Sequence, residues 1–312
     1  MKIVFMGTTE FSKIILNKLN EIYPVSLVVT QPDKLVGRKQ KLTCSPVKDL
    51  AIELELDLFQ PVNIKEDYQK IMNLKPDVII TAAYGQMIPN EVIDTFINLN
   101  VHGSLLPKRR GGAPVQRAII ENDKTTGITL MYMASKMDSG DIIAQKEVKI
   151  EESDTTTILM EKLAYVGSDL LIDYLPHIIK ETAPRISQNE EEVTYSFNLD
   201  LNDETLNFNK ETNLVLRQLN GLLDEPGGAF YFKDERIKVY KLEKSDIISN
   251  RPAGTILSVN KKLTIKTKDG AVNVLEIQSP GKKRMQIKDY LNGQKLFIEG
   301  DVIDEEKTNL FT

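Results

Sequence analysis

The stretch LNVHGSLLPKRRGGAP, residues 99–114, joins a short apolar run to a polar loop, and it indicates how the N-terminal half folds. The run ends like a buried strand and carries Asn100 and His102 at alternate positions. Because side chains alternate across a strand, these two polar groups point to the same side. A proline, three consecutive cations and two glycines follow before the next helical segment. The pattern predicts a strand whose carboxyl end bears reactive side chains.

Outward from this stretch, apolar runs alternate with amphipathic helical segments. Further strands are predicted for KIVFM (2–6), VSLVVT (25–30), LDLFQ (56–60), PDVIITAAYG (76–85), ITLMYM (128–133) and AQKEVKI (144–150). Helices are predicted for residues 11–22, from Ser45-Pro46 onward, and for 64–73, 90–96, 113–122 and 155–180. Strands that alternate with helices predict an α/β domain with a mostly parallel sheet covered on both faces.

The C-terminal third has a different pattern. Five short strands are predicted for GAFYF (228–232), RIKVYKLE (236–243), GTILSV (254–259), KLTIKT (262–267) and AVNVLEI (271–277). Turn residues separate them, as in a small open β-barrel of the OB type, and a late helix lies within 281–293. We therefore divide the chain into residues 1–180, a polar linker at 181–209, and a β-barrel domain at 210–312.

Bulk composition narrows the class of protein. The 312 residues include one cysteine, Cys44, and two histidines, so neither a disulfide framework nor a His-based metal site is expected. No stretch approaches the roughly 20 apolar residues of a membrane span, and we expect a soluble cytoplasmic protein. The turn after the first strand, GTTEF, lacks the glycine pattern of dinucleotide-binding folds.

Charge is unevenly distributed over a chain with a net charge of −5. Residues 231–300 carry 15 Lys and Arg against 8 Asp and Glu. This basic region favours a polyanionic partner, and an ordinary solvated surface is the alternative interpretation. Basic residues also surround Cys44, which predicts a lowered pKa for its thiol.

The candidate catalytic residues lie on loops that follow predicted strands. Imidazole exchanges a proton near neutral pH, and an amide can donate a hydrogen bond to a developing oxyanion, so His102 and Asn100 suit proton transfer and oxyanion stabilisation. A carboxylate is expected to orient the histidine. The segment KMDSGDII (136–143) offers Asp138 and Asp141, and spacing alone does not choose between them.

Several motifs together are recognisable. N-V-H-G-S-L-L-P-x-x-R-G-G-A-P (100–114) and M-D-S-G-D (137–141) resemble the 10-formyltetrahydrofolate-dependent formyltransferases, in particular those that act on initiator methionyl-tRNA. The resemblance extends to FMGTTEF (5–11), VVTQPDKLVGRKQKLTCSPVK (28–48), FQPVNI (59–64) and AAYGQMIP (82–89). It implies a Rossmann-like formyltransferase domain followed by an OB-like domain that helps to hold tRNA. A monomer is expected.

The resemblance assigns roles to residues that match its motifs. The implied catalytic residues are Asn100, His102 and Asp138, acting by direct amine attack on the formyl carbon without a covalent enzyme intermediate or a metal. The residues implied for the folate are Tyr84, Gly85, Gln86, Met87 and Ile88, with Ser104, Leu105, Leu106 and Pro107 in the wall. The cations expected to contact tRNA are Arg38, Lys39, Lys41, Lys48, Lys108, Arg109, Arg110, Lys282, Lys283 and Arg284.

Three other functions remain as alternatives. A sugar-nucleotide N-formyltransferase would keep the same catalytic residues but should lack the basic loop at residues 36–48. The purine-pathway glycinamide ribonucleotide enzyme would end near residue 200, which leaves the barrel unexplained. A non-catalytic RNA-binding protein with the same scaffold would not require the Asn100, His102 and Asp138 set.

Overall fold

The computed structural model describes residues 1–36, 40–293 and 296–303, and the chain divides into two compact units. The first comprises Met1–Pro114, Thr125–Lys149 and Leu159–Phe197; the second comprises Val115–Lys124, Ile150–Ile158 and Asn198–Thr312. The division at residues 180 and 209 stays a prediction. No helix in the described ranges is both long and apolar enough to cross a membrane.

The first unit is built on alternating strands and helices. Its strands are β1 (Ile3–Gly7), β2 (Leu27–Val29), β3 (Lys34–Val36), β4 (Lys41–Thr43), β5 (Leu58–Phe59), β6 (Val78–Ala82), β7 (Ile97–His102), β8 (Thr125–Tyr132) and β9 (Ile142–Lys149). The helices in this part of the chain are α1 (Glu10–Ile22), α2 (Pro46–Glu53), α3 (Ile64–Asp67), α4 (Gln69–Leu74), α5 (Asn90–Ile93), α6 (Pro114–Ile120) and α7 (Thr156–Ile179). Every residue of β1 and β6 is buried, as expected for strands covered on both faces.

The main sheet has seven strands in the order β5-β2-β1-β6-β7-β8-β9. The first five strands in this order, from β5 to β7, are parallel to one another, whereas β8 is antiparallel to β7 and β9 is antiparallel to β8. The predicted mostly parallel α/β sheet is confirmed. The antiparallel pair at one edge places β7, with Asn100 and His102, where the strand direction reverses.

Two local features differ from the sequence-based expectation. The predicted helix at 64–73 is two short helices, α3 and α4, with Tyr68 between them. Strands β3 and β4 form an antiparallel ribbon at the start of the basic loop, in which Lys34 pairs with Thr43 and Leu35 pairs with Leu42. The predicted start of α2 is correct, because the Ser45 side chain accepts a 3.0 Å hydrogen bond from the Lys48 amide.

The second unit contains a curled antiparallel sheet. Its strands are β10 (Gly228–Phe232), β11 (Glu235–Ser245), β12 (Ile256–Ser258), β13 (Leu263–Lys266), β14 (Ala271–Gln278) and β15 (Met285–Gln286), in the order β10-β11-β14-β13-β12 with β15 beside β14. The helices are α8 (Leu201–Glu204), α9 (Thr212–Leu222) and α10 (Ile287–Gly293). The core includes Val215, Phe230, Ile237, Ile265 and Val274. The predicted small barrel-like domain is confirmed.

Candidate active site

The carboxyl end of β7 presents the two polar side chains Asn100 and His102. His102 is 7% exposed, and Asn100 is half-buried. Nε2 of His102 lies 3.2 Å from the main-chain oxygen of Arg109, and its Nδ1 lies 3.7 Å from Oδ1 of Asp138. Both ring nitrogens therefore face oxygen atoms that can accept a hydrogen bond.

Asp138 is the carboxylate that meets both side chains of β7. Nδ2 of Asn100 lies 3.5 Å from the same Oδ1 atom, and the Asp138 side chain is 13% exposed. The φ of Asp138 is +52°, a left-handed conformation that aspartate adopts more readily than most residues. Asp141 instead accepts a 3.1 Å hydrogen bond from the Ser187 hydroxyl. Geometry thus separates the two aspartates that spacing left equivalent.

The route by which Asp138 reaches His102 differs from the expected one. Asp138 was expected on a loop that follows a predicted strand of a mostly parallel sheet. Strand β8 is antiparallel, and at its end the Met133 amide donates to the Asn98 carbonyl, partway back along β7. The loop then turns back and brings Asp138 to the end of β7. The expectation about strand direction is wrong for this loop, although the residues do meet.

The second oxygen of Asp138 is fixed by the loop after β7. The Gly111 amide donates a 2.8 Å hydrogen bond to Oδ2. Gly111 has φ +123°, and a Cβ added there would lie 2.6 Å from the Ser196 carbonyl oxygen. Only glycine fits this position, because other residues would incur both backbone strain and a clash.

In residues 84–88, which are predicted to bind the folate, the main chain is available for contacts and the aromatic ring of Tyr84 is not. Tyr84 is 2% exposed, its ring packs within the core, and burial raises the pKa of its hydroxyl. Its carbonyl oxygen accepts hydrogen bonds from Thr8 Oγ1 at 2.8 Å and from Gln31 Nε2 at 3.2 Å. Gly85 and Met87 are exposed, Gln86 is half-buried and Ile88 is buried.

The predicted wall at residues 104–107 is held by a polar network that the sequence did not reveal. Ser104 is 1% exposed, and its hydroxyl donates to the Lys108 carbonyl at 2.7 Å. Thr129 Oγ1 donates to the Ser104 carbonyl and accepts from the Leu106 amide. Gln145 Nε2 donates to the Leu106 carbonyl at 2.8 Å. Leu105 and Pro107 are partly exposed.

The predicted tRNA-contacting cations of the basic loop have different environments. Arg38 and Lys39 lie outside the described residues. Lys41 is exposed. Lys48 forms an ion pair with Asp33 at 2.7 Å, and each side chain is less than one-fifth exposed. Hydrogen bonds from Gln60 and then from Lys48 lower the pKa of Asp33.

Cys44 corrects a second expectation. Burial, followed by the negative charge of Asp33, raises the pKa of the Cys44 thiol. The prediction of a lowered pKa is wrong because burial and this carboxylate together outweigh the opposing effect of Lys48.

The three cations after β7 also differ in their exposure to solvent. Lys108 is exposed, and Arg109 is half-buried with its guanidinium 3.4 Å from the Ser196 hydroxyl. Arg110 is only 2% exposed, and it pairs with Glu190 at 2.8 Å and with Gln188 Oε1 at 2.8 Å. The Arg110 hydrogen bond lowers the pKa of Glu190. Because its guanidinium is engaged within the chain, Arg110 does not suit the predicted contact with tRNA.

On the second unit, the predicted cluster after β14 is mostly accessible. Lys282 and Lys283 are exposed. Arg284 pairs with Glu276 at 2.7 Å and lies 4.3 Å from the centre of the Tyr240 ring, with its side chain 45% exposed. The two lysines are therefore the better candidates for phosphate contacts. In the described part of the chain, no three His, Cys, Asp or Glu side chains are grouped so as to hold a metal ion.

Comparison with known proteins identifies the family to which this chain belongs. Residues 1–175 match the family described as formyl transferase, and residues 198–295 match the formyl transferase C-terminal domain. The methionyl-tRNA formyltransferase of Lactobacillus johnsonii is 43% identical, over 97% of this chain and 99% of that protein. This chain belongs to the methionyl-tRNA formyltransferase family. The formyltransferase resemblance inferred from the motifs is confirmed.

Solved structures show that the fold of this methionyl-tRNA formyltransferase family member is shared more widely. HypX from Aquifex aeolicus in complex with tetrahydrofolic acid has a TM-score of 0.68 at 16% identity, over 98% of this chain and 51% of that chain. An N-formyltransferase from Helicobacter canadensis, in complex with folinic acid and dTDP-3-aminofucose, has a TM-score of 0.67 at 19% identity, over 89% of this chain and 99% of that chain. At these identities the likeness establishes the fold alone.

Proposed function

We propose that this chain transfers the formyl group of 10-formyltetrahydrofolate to the α-amino group of initiator methionyl-tRNA, as a monomer in the cytoplasm. Family membership and the name of the Lactobacillus johnsonii relative support the reaction. The tetrahydrofolic acid and folinic acid in the titles of two structures with this fold support a folate donor. The proposed catalytic residues lie within residues 1–180, and residues 210–312 would help to hold the tRNA.

The observation that carries the proposal is the meeting of Asn100 and His102 at one oxygen of Asp138, at 3.5 and 3.7 Å. An amide, an imidazole and a carboxylate together can stabilise an oxyanion and transfer a proton. Distances of this length suit catalytic hydrogen bonds, which shorten when substrate binds.

The proposed step needs no covalent bond to the enzyme. The α-amine attacks the formyl carbon, and the carbonyl electrons move to the oxygen, which Asn100 and His102 stabilise. Collapse of the tetrahedral intermediate breaks the bond from the formyl carbon to N10 of the folate, and the proton lost by the amine ends on N10. Asp138 orients His102 and assists this proton transfer, which contributes roughly 10²–10⁴-fold in rate.

The substrates are assigned to separate surfaces. We propose that the main chain at residues 84–88 and the wall at 104–107 bind the folate, since a flat pterin is recognised by backbone hydrogen bonds. We propose that the tRNA contacts the basic loop, where Lys41 is exposed, together with Lys108, Lys282 and Lys283. Exposed lysines of this kind bind phosphates without reading sequence.

The test is a formyl-transfer assay with 10-formyltetrahydrofolate and either charged initiator methionyl-tRNA or an amino-sugar nucleotide. His102→Ala is compared with His177→Ala, which alters the exposed histidine near the end of α7. We expect transfer to the tRNA in wild type, retained in His177→Ala and reduced by several orders of magnitude in His102→Ala.

Transfer only to the sugar nucleotide would refute the tRNA assignment. Absence of transfer to either acceptor, with tRNA still bound, would favour the RNA-binding alternative. Full activity in a folded His102→Ala protein would refute the catalytic role of the histidine.

A further inference from the structure

Residues 186–196, here called the strap, pack along the two loops that form the candidate active site. Ile186 exchanges both main-chain hydrogen bonds with Ile142, at 2.8 and 3.0 Å. At the other end, the Ser196 amide donates to the Arg110 carbonyl at 2.7 Å. This polar segment was predicted as part of a linker, but its hydrogen bonds connect it to the loop after β7 and to the loop between β8 and β9.

Gln188 lies at the centre of the strap's contact with the Asp138 loop. Its Nε2 atom donates to the main-chain oxygens of Asp138 and Gly140, both at 2.8 Å. One amide group therefore uses both of its hydrogens on the backbone that carries the candidate catalytic carboxylate.

The carbonyl end of the Gln188 side chain is also fixed. Oε1 accepts hydrogen bonds from Nε of Arg110 at 3.1 Å and from Nη2 at 2.8 Å. The buried guanidinium is balanced by Glu190, another residue of the strap. A side chain held at both ends loses its rotamer freedom, so the position of the Asp138 backbone is set by Arg110 through Gln188.

The far end of the strap holds the loop that faces His102. Thr194 accepts hydrogen bonds from the Arg109 and Arg110 amides, each at 2.9 Å, through its hydroxyl and carbonyl oxygens respectively. The Arg109 carbonyl in turn lies 3.2 Å from Nε2 of His102. The strap thus contacts the supports of both His102 and Asp138.

We propose that the strap positions the two catalytic loops, and that Gln188 is the positioning residue for Asp138. This inference rests on the proposed function for its catalytic consequence. Displacement of a reacting group by about 1 Å can cost on the order of 10²-fold in rate, so loss of the Gln188 amide should lower kcat.

The test replaces Gln188 with methionine, which has a similar length and no amide. Gln218→Met is the matched control, because Gln218 Nε2 also donates to two main-chain oxygens, those of Asp203 and Thr205, at 2.9 and 2.8 Å. We expect Gln188→Met to lower kcat roughly 10- to 100-fold with little change in either KM. Gln218→Met should lower the thermal midpoint and leave kcat of the folded protein unchanged.

A double-mutant cycle separates positioning from general loss of structure. If Gln188 acts through Asp138, the effect of Gln188→Met on kcat disappears in an Asp138→Asn background, because the contributions are not additive. An undiminished effect in that background, or an unchanged kcat in the single variant, would overturn the inference.

Amide hydrogen exchange provides a readout that does not depend on activity. Because the Gly111 amide is bonded to Asp138, Gln188→Met should accelerate exchange in peptides covering residues 105–113, whereas Gln218→Met should not. If wild type fails to transfer formyl, the proposed function fails, and exchange alone then decides the positioning role. Unchanged exchange in Gln188→Met would overturn it.

Discussion

The Gly111 amide and the Asp138 carboxylate join two loops that are 27 residues apart, through a hydrogen bond of 2.8 Å. One loop follows β7, and the other connects β8 with β9. The bond leaves Oδ1 of Asp138 directed toward Asn100 and His102. The carboxylate is therefore oriented by a main-chain donor and not by a side chain.

A methyl group at Gly111 should disturb this relationship. Gly111→Ala places Cβ 2.6 Å from the Ser196 carbonyl oxygen at φ +123°. We expect stability to fall by about 1–3 kcal/mol from strain at this φ, with a further loss from the clash. Formyl transfer, measured well below the unfolding temperature, should fall at least roughly 10-fold because Asp138 is displaced.

Gly300→Ala is the control for this variant. Its φ is +94°, but the nearest atom to an added Cβ is Nη1 of Arg251, at 3.5 Å. Gly300→Ala should lose stability through backbone strain alone, and its kcat should be unchanged. Wild-type activity in Gly111→Ala would contradict the prediction.

Two asparagines on β7 should respond differently to substitution. Asn100→Ala removes a proposed oxyanion donor, and we expect kcat to fall by roughly 10²–10³-fold with stability little changed. Asn98 instead donates to the carbonyls of Val92 and Phe96, both at 2.9 Å, in the interior. Asn98→Ala should therefore lower the thermal midpoint and preserve kcat of the folded fraction. Equal effects on kcat would argue against the assignment of Asn100.

Salt dependence should distinguish two lysines of the basic loop. Lys41 is exposed, and Lys41→Ala should raise KM for tRNA and lower the slope of log KM against log salt concentration by about 1, with KM for folate unchanged. Lys48 is paired with Asp33, so Lys48→Ala should reduce stability and leave that slope intact. A slope that is unaltered in Lys41→Ala would exclude a phosphate contact by this residue.

A fall in pH should weaken the interactions of Asp33 with Gln60 and Lys48. Hydrogen bonds from Gln60 and Lys48 hold the pKa of Asp33 below its ordinary value of 3.8. The stabilisation is therefore present above about pH 3.8 and is lost as the pH falls through the lower, folded-state pKa. The stability advantage of wild type over Asp33→Asn, from denaturant titrations at several pH values, should shrink on acidification. An advantage that grows in acid would contradict this sign.

The sequence predicted the strands and the barrel-like domain because buried runs and alternating residues are local patterns. It also placed Asn100 and His102 together, since side chains two apart on a strand share a face. Strand direction is not encoded in such a pattern, and the antiparallel β8 was not foreseen. The β3–β4 ribbon was missed because its sequence is short and rich in exposed cations.

The strap could not be predicted for a different reason. Its stabilising partners lie 44 to 87 residues away, as for Ile186 with Ile142 and Ser196 with Arg109. A polar, acidic segment without periodicity has the composition of a linker whether or not its side chains find distant partners. Arg110 was likewise predicted to contact tRNA, although it is buried and its guanidinium bonds to Gln188 and Glu190 of this segment.

The position of the strap sets a lower limit on any autonomous N-terminal fragment. The N-terminal family match ends at residue 175, yet the hydrogen bonds to the Asp138 and Gly111 loops come from residues beyond it. A fragment cut at residue 175 or 180 would retain Asn100, His102 and Asp138 but lose Gln188, Thr194 and Ser196. An N-terminal fragment that is meant to keep the candidate active site therefore has to extend past Phe197, because the family match ends before the residues that hold the two loops of that site.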